Sequence, residues 1–190
     1  PRRSGSDRCV WFHAVSVGEV QMLGKLLNRI ESRWPNCECV ISTTTKAGFE
    51  LARRKYNARQ VFYCPLDFSW AVRRALQRVR PDLLVLVELE LWPNLIAEAS
   101  RQGVRLAIVN GRLSAKSFRG YRRIGRFIEP TLRRLDVVAA QNDEYADRFR
   151  ELGARWESVV VSGSLKFDDL KTDRDNPETR NLSELARISE

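Results

Sequence analysis

Three carboxylates and one lysine are spaced as if for work. Glu88 and Glu90 stand two apart in "ELELWPN" (88–94), Glu19 closes "SVGE" (16–19), and Lys166 follows "SGS" (162–164). Along a strand, residues two apart face the same side. A carboxylate pair there suits acid–base chemistry or a divalent cation, and it equally suits a solvated strand end. "SVGE" is Ser-x-x-Glu ahead of an apolar helical run. That is the capping-box pattern, in which Glu19 accepts the backbone N–H of Ser16. A carboxylate in a first helical turn also feels the positive end of the helix dipole, which favours its ionised form. An ionised carboxylate in a cleft can take a proton. The cap and the base are compatible roles. Gly18 gives the chain freedom to turn sharply out of the preceding strand and leaves room for a substrate beside the backbone. Lys166 either joins the N–H groups of "SGS" in holding an anion or is a surface lysine.

These residues need elements to position them, and the sequence alternates strand and helix from end to end. Strands are expected at 9–17, 39–43, 60–64, 83–87, 105–109, 137–140 and 158–163. Helices are expected at 19–34, 47–56, 67–79, 92–102 and 143–152. One or two more fall within 114–134, where Gly120, Gly125 and Pro130 interrupt the pattern. "LLVLV" (83–87) is apolar throughout, as for a strand covered on both faces. The alternation predicts an α/β fold, a Rossmann-like, doubly wound, mainly parallel sheet. Residues 1–170 are expected to form that domain. The polar stretch 171–190 reads as a linker or the start of a further domain. In such sheets ligands bind outside the carboxyl ends of the strands. The residues there are Ser16, Gly18 and Glu19; Thr43, Thr44 and Thr45; Asp67; Glu88 and Glu90; Asn110, Gly111, Arg112 and Ser114; Gln141 and Asn142; and Ser162 to Lys166.

Composition limits what the chain can be. It has 190 residues, 43% hydrophobic and 30% charged, which fits a globular domain. No apolar run approaches the ~20 residues of a membrane span, and no signal-peptide pattern opens it. It begins at Pro1, as a piece of a longer protein would. Cys9, Cys37, Cys39 and Cys64 fit no zinc spacing and read as reduced buried thiols. His13 is the one histidine, so a histidine-based metal site is not expected. A net charge of +9 points to anionic partners. Much of it falls in 112–134, where Arg112, Lys116, Arg119, Arg122, Arg123, Arg126, Arg133 and Arg134 face a single acid, Glu129. Phe118, Tyr121 and Phe127 are interleaved. Such a stretch suits a phosphate or an anionic membrane surface, or is simply a solvated basic face. No nucleic-acid motif accompanies it.

The motifs "HAVSVGE", "PLD", "ELELWPN", "NGRLSAKSFRGY", "AAQNDEYADRF" and "SGSLKFD" resemble, in order and spacing, those of the bacterial 3-deoxy-D-manno-octulosonic acid (Kdo) transferases. The likeness runs from about residue 9 to residue 170. It implies the amino-terminal half of an inverting glycosyltransferase with two Rossmann-like domains (GT-B). Such an enzyme moves Kdo from CMP-Kdo to a lipid A precursor at the cytoplasmic face of the inner membrane, in lipopolysaccharide biosynthesis. The donor would bind a carboxyl-terminal domain and the acceptor this one, so this chain alone would be inactive. On matching positions, Glu19 would be the general base, with Glu88 and Lys166 stabilising the transition state. Ser16, Gly18, Thr44, Asn110, Arg112 and Ser114 are assigned to the acceptor. The resemblance implies no cofactor and no metal. Its partners would be CMP-Kdo, the lipid acceptor and an anionic membrane surface, not nucleic acid. Two departures stand out: Asn110-Gly111-Arg112 where the family has Asn-Ala-Arg, and "TTTKAG" where a Thr-Pro-Thr-Gly ending is expected. The alternatives are half of another glycosyltransferase acting on a lipid-linked sugar, or a non-enzymatic basic module that binds anionic lipid or nucleic acid.

Overall fold

A computed structural model describes residues 7–165. Lys166 and the stretch 171–190 lie outside the described residues. Seven strands form one wholly parallel sheet: β1 (Cys9–His13), β2 (Glu38–Thr43), β3 (Gln60–Tyr63), β4 (Leu83–Val87), β5 (Arg105–Gly111), β6 (Val137–Ala140) and β7 (Val159–Val161), in the order β3-β2-β1-β4-β5-β6-β7. The helices are α1 (Val17–Arg33), α2 (Lys46–Lys55), α3 (Ser69–Val79), α4 (Pro93–Arg101), α5 (Ala115–Arg123), α6 (Gly125–Leu132) and α7 (Asp143–Glu151). The segment 114–134 is therefore two helices. The break falls at Ile124, and Gly120 sits inside α5 without ending it.

Apolar periodicity accounts for the layers. One core gathers Val20, Leu23 and Leu27 of α1 and Ala52 of α2 against Phe12, Ile41, Val85 and Val87. The other gathers residues of α3, α4, α6 and α7 against Trp11, Leu84, Leu86 and Ile108. Leu84, Val85, Leu86 and Val87 alternate between the two cores and all are buried, which is why "LLVLV" shows no polar alternation. The edge strands β3 and β7 instead carry exposed Tyr63, Val160 and Val161.

The strand order reverses once. The chain builds outward from β1 to β3, then returns through α3 to place β4 beside β1, with His13 level with Leu86. The carboxyl ends of β1 and β4 thus flank the switch point, where open parallel sheets bind ligands. The first strand is shorter than expected. It ends at His13, not at 17, and Ala14 makes one more bond, donating to Ser42 O at 3.0 Å. None of the four cysteines is in a disulfide. Burial pushes the Cys39 and Cys64 thiols up to about 12, so neither is a ready nucleophile.

His13 lies at the end of β1, fully buried. Its Nδ1 is 2.9 Å from Ser42 Oγ, which also accepts from Trp11 Nε1 at 2.7 Å. Its ring meets Trp92 edge-on, with centroids 5.4 Å apart. Burial pulls its pKa down to about 4. In the unfolded chain an imidazole titrates near ~6.5, so between those values the unfolded state binds more protons and stability falls as pH falls. About 2 to 3 kcal/mol should be lost through this group between pH 7 and about 4.5. Denaturation of the wild type and His13→Gln across that range should show the loss in the wild type only. NMR should place the single imidazole's titration near 4, and an ordinary midpoint would contradict its burial.

Candidate active site

Ser16 ends the extended segment and caps α1. Its Oγ accepts from Glu19 N at 3.3 Å and donates to Glu19 Oε1 at 2.7 Å. The other carboxylate oxygen, Oε2, accepts from Val15 N at 2.8 Å. The capping box is therefore present with a changed partner. Glu19 takes the N–H of Val15 where that of Ser16 is expected, because the chain has already left the sheet after His13. Glu19 is only 7% exposed. Burial raises its pKa above the usual carboxylate range. The bonds from Ser16 and Val15 oppose that rise, and the nearby charges of Glu90 and then Glu88 reinforce it.

Gly18 sits in the first turn of α1, and its expected role as a sharp turn is not what the backbone shows. Its φ is not positive, and a Cβ added there would meet only Ser16 Oγ, at 4.0 Å. What Gly18 provides is open space beside Glu19. A glycine that close packing does demand beside this turn is Gly48, where a Cβ would fall 2.8 Å from Thr45 Oγ1 and 3.0 Å from Val15 O. Thr45 caps α2 by accepting from Gly48 N at 3.2 Å, and donates to Val15 O at 2.9 Å. It thereby pins the start of α2 against the Glu19 turn. Thr44, half-buried beside it, lies in the same turn.

Glu88 and Glu90 are not on a strand. β4 stops at Val87, and Glu88 turns into the left-handed region at φ 60 while its N–H donates to Val109 O at 2.9 Å. The pair occupies the loop that leads into α4. Glu90 is held by Trp92, whose Nε1 donates to Oε2 at 2.8 Å. Burial raises the pKa of Glu90, the Trp92 bond opposes the rise, and the charge of Glu88 adds to it. Tyr121 of α5 is half-buried near this group; burial and the Glu90 charge raise its pKa. The neighbouring carboxylate charges thus act on Glu19 and Glu90, so a proton on either is held more tightly.

Asn110 is a second left-handed non-glycine residue on this edge, at φ 55 and fully buried; the third among the described residues, Arg80, ends α3. It sits where the β5–β6 register slips by one residue, a bulge of the kind that re-aims side chains near functional sites. Its Oδ1 accepts from Leu165 N at 3.1 Å, its Nδ2 donates to Met22 Sδ at 3.3 Å, and its carbonyl accepts from Gln141 Nε2 at 3.2 Å. Asn110 is thus a structural hub joining β5, α1 and the segment after β7. A side chain at Gly111 would put its Cβ 3.2 Å from both Ala139 O and Phe149 Cε2, so this departure from the resembled motif reflects tight packing. Arg112 is exposed on the same edge, and Ser114 caps α5 by accepting from Ser117 N at 3.2 Å.

Asp67 of "PLD" acts across elements. Its Oδ2 accepts from Asn94 N at 3.0 Å and its Oδ1 from Leu95 N at 2.8 Å, while Asn94 Nδ2 donates to Asp67 O at 2.6 Å. The start of α4 has no side-chain cap of its own, and Asp67 supplies one from the loop after β3. Sequence reading placed Asp67 on the right edge but missed this clamp, as it missed Thr45, because both act over long chain separations. Asp67→Ala should lower stability by about 1 to 2 kcal/mol, measured by urea denaturation, and Asp67→Asn by less.

The structure therefore brings Glu19, Glu88, Glu90, Thr44, Asn110, Arg112 and Ser114 to one edge. It shows no metal-like cluster of three or more His, Cys, Asp or Glu among the described residues. Residues 1–169 match the family model described as 3-Deoxy-D-manno-octulosonic-acid transferase (kdotransferase). The chain is 38% identical over 165 residues to a 3-deoxy-D-manno-octulosonic acid transferase of Bordetella pertussis, covering 84% of the chain and 38% of that protein. It is 34% identical over 172 residues to one of Chlamydia trachomatis serovar D, covering 87% and 39%. The chain thus spans well under half the length of these relatives. A solved putative UDP-N-acetylglucosamine 2-epimerase from Listeria monocytogenes superposes with a TM-score of 0.64 at 11% identity, covering 93% of the chain and 51% of that structure. This bears out the Rossmann-like fold of the GT-B type. With the match of nearly its whole described length, the chain belongs to the Kdo transferase family of glycosyltransferases.

Proposed function

We propose that this chain is the acceptor-side domain of an enzyme that moves Kdo from CMP-Kdo to a lipid A precursor, with Glu19 as the general base. The observation that carries this reading is the Glu19 carboxylate, buried at the switch point, positioned by two hydrogen bonds and raised in proton affinity by burial and neighbouring carboxylates. A sugar hydroxyl is a poor nucleophile until its proton is accepted. As the hydroxyl oxygen bonds to the anomeric carbon, its proton passes to Glu19. The bond from that carbon to the phosphate oxygen breaks, and its electron pair leaves with CMP. Attack opposite the leaving group inverts the centre. Positive charge that develops on the sugar is stabilised by Glu88, and negative charge on the departing phosphate by Lys166. A base with raised affinity is the better matched to a hydroxyl near neutral pH.

Ser16, Thr44, Arg112 and Ser114 are the acceptor contacts in this reading, with Gly18 leaving space for it, while Asn110 acts by holding the loops around them. The lipid acceptor places the enzyme at the cytoplasmic face of the inner membrane. Exposed Arg112, Lys116, Arg119, Arg122, Arg123 and Arg126 then face anionic headgroups, each worth on the order of 1 kcal/mol and weakened within a Debye length of ~10 Å.

In a full-length enzyme that carries this domain, Glu19→Gln should keep its melting temperature, since an amide still accepts the Val15 N–H. Its turnover should fall by roughly two to four orders of magnitude. A variant with most of its activity would remove Glu19 from the chemistry. The wild-type rate should fall as pH drops through the raised pKa of Glu19, and Glu90→Gln, by deleting a neighbouring negative charge, should move that limb to lower pH. An unmoved limb would show that Glu90 does not act on the base.

A further inference from the structure

The most exposed apolar side chains near the carboxyl edge do not belong to the basic helices α5 and α6 alone. A second group lies around the edge strand β3. Leu66 is 69%, Phe68 55% and Trp70 69% exposed. Tyr63, at the end of β3, stacks on Phe49 of α2 with centroids 4.3 Å apart. Tyr63, Trp70, Arg74 and Arg78 line a shallow cavity of about 250 Å³. Lys46, Phe49, Glu50, Arg53 and Arg54 line a second surface with Tyr63, and Glu50 pairs there with Lys46. Between residues 60 and 80 the one acid is Asp67, and its carboxylate is engaged by the N–H groups of Asn94 and Leu95. The surface is therefore apolar and aromatic at its tip and basic at its flanks.

We propose that Leu66, Phe68 and Trp70 form a tip that inserts into an anionic lipid bilayer, with Arg53, Arg54, Arg74 and Arg78 on the headgroups around it. Three features select a bilayer over a protein groove. The apolar residues sit on a loop and a first helical turn, with no shared helix or strand face for a shaped partner to grip. A bilayer takes side chains at differing depths, and tryptophan with arginine is the pairing its interface favours. The flanking charge is predominantly positive, with Arg53, Arg54, Arg74 and Arg78 outweighing Glu50, which pairs with Lys46, and is complementary to anionic headgroups. The tip is also fixed relative to the chemistry. The Asp67 clamp ties this loop to the start of α4, directly after the Glu88–Glu90–Trp92 loop. Insertion would hold the membrane surface beside the carboxylates, where a lipid-borne hydroxyl must arrive. This deepens the function proposed above and rests on its membrane setting.

The test uses this chain with vesicles of phosphatidylglycerol and phosphatidylcholine, some carrying brominated acyl chains. Binding should shift tryptophan emission to the blue, and the brominated chains should quench it. Both effects should be much reduced in Trp70→Phe. Leu66→Ser/Phe68→Ser, which changes only exposed side chains, should bind at least ten-fold more weakly while melting like the wild type. Vesicle binding without acyl-chain quenching, or with quenching unchanged in Trp70→Phe, would overturn insertion by this tip and leave the membrane setting standing. No binding to anionic vesicles would overturn both, while transfer to a soluble, deacylated acceptor by the full-length enzyme would still show the chemistry intact.

Discussion

The pairing of β1 with β4 is the constraint on which the site depends. Glu19 follows the first strand and Glu88 the fourth, and some seventy residues of chain separate them. Only because β4 returns beside β1, with His13 level with Leu86, do both carboxylates emerge from neighbouring strand ends. Being parallel, the two strands point these loops to the same side of the sheet. Once there, burial raises the affinity of Glu19 and Glu90 for protons, and the charges of neighbouring carboxylates add to the rise. The proton chemistry is thus a consequence of strand order.

The supports around this pocket are polar clamps that cross between elements. Thr45 ties α2 to the Val15 turn, Asp67 ties the loop after β3 to α4, and Asn110 ties β5 to α1 and to Leu165. Two non-glycine residues at the ends of adjacent strands, Glu88 and Asn110, adopt left-handed backbone conformations. Such conformations cost of order 1 kcal/mol or more and persist where surrounding bonds fix them. Both occur on the edge that carries the carboxylates. Behind them, His13 and Trp92 pack edge-on, so the indole that holds Glu90 is braced from the core.

Much of this was legible in the sequence, and the reasons are local. Apolar runs such as "LLVLV" and the periodic helix expected at 19–34, found at 17–33, announce themselves, and reading the residues after each strand collected residues that the fold does bring to one edge. The family resemblance rested on short motifs that sit on that edge. What could not be read was geometry set by distant partners. The strand before Glu19 ends four residues early: the chain leaves the sheet after His13, and the N–H of Val15 goes to the Glu19 carboxylate instead of a neighbouring strand. Glu88 and Glu90 leave the strand because Glu88 turns left-handed. Gly18 reads as a turn residue but serves as open space, whereas Gly48, inside a helix, is a glycine that a close backbone approach demands. The basic helices were visible as a charge run. The aromatic tip at 66–70 was not, since exposure alone distinguishes it from core residues of the same types.

The central claim is that Glu19 binds its proton more tightly than an ordinary carboxylate because burial and two neighbouring carboxylates act on it. Carbon-13 NMR of side-chain carboxyls, with Glu19 assigned through Glu19→Gln, measures this directly on the chain itself. The account predicts a Glu19 midpoint clearly above the usual glutamate value of about 4.3, and a lower midpoint in Glu90→Gln. A Glu19 midpoint at or below the usual value, unchanged in Glu90→Gln, would contradict it.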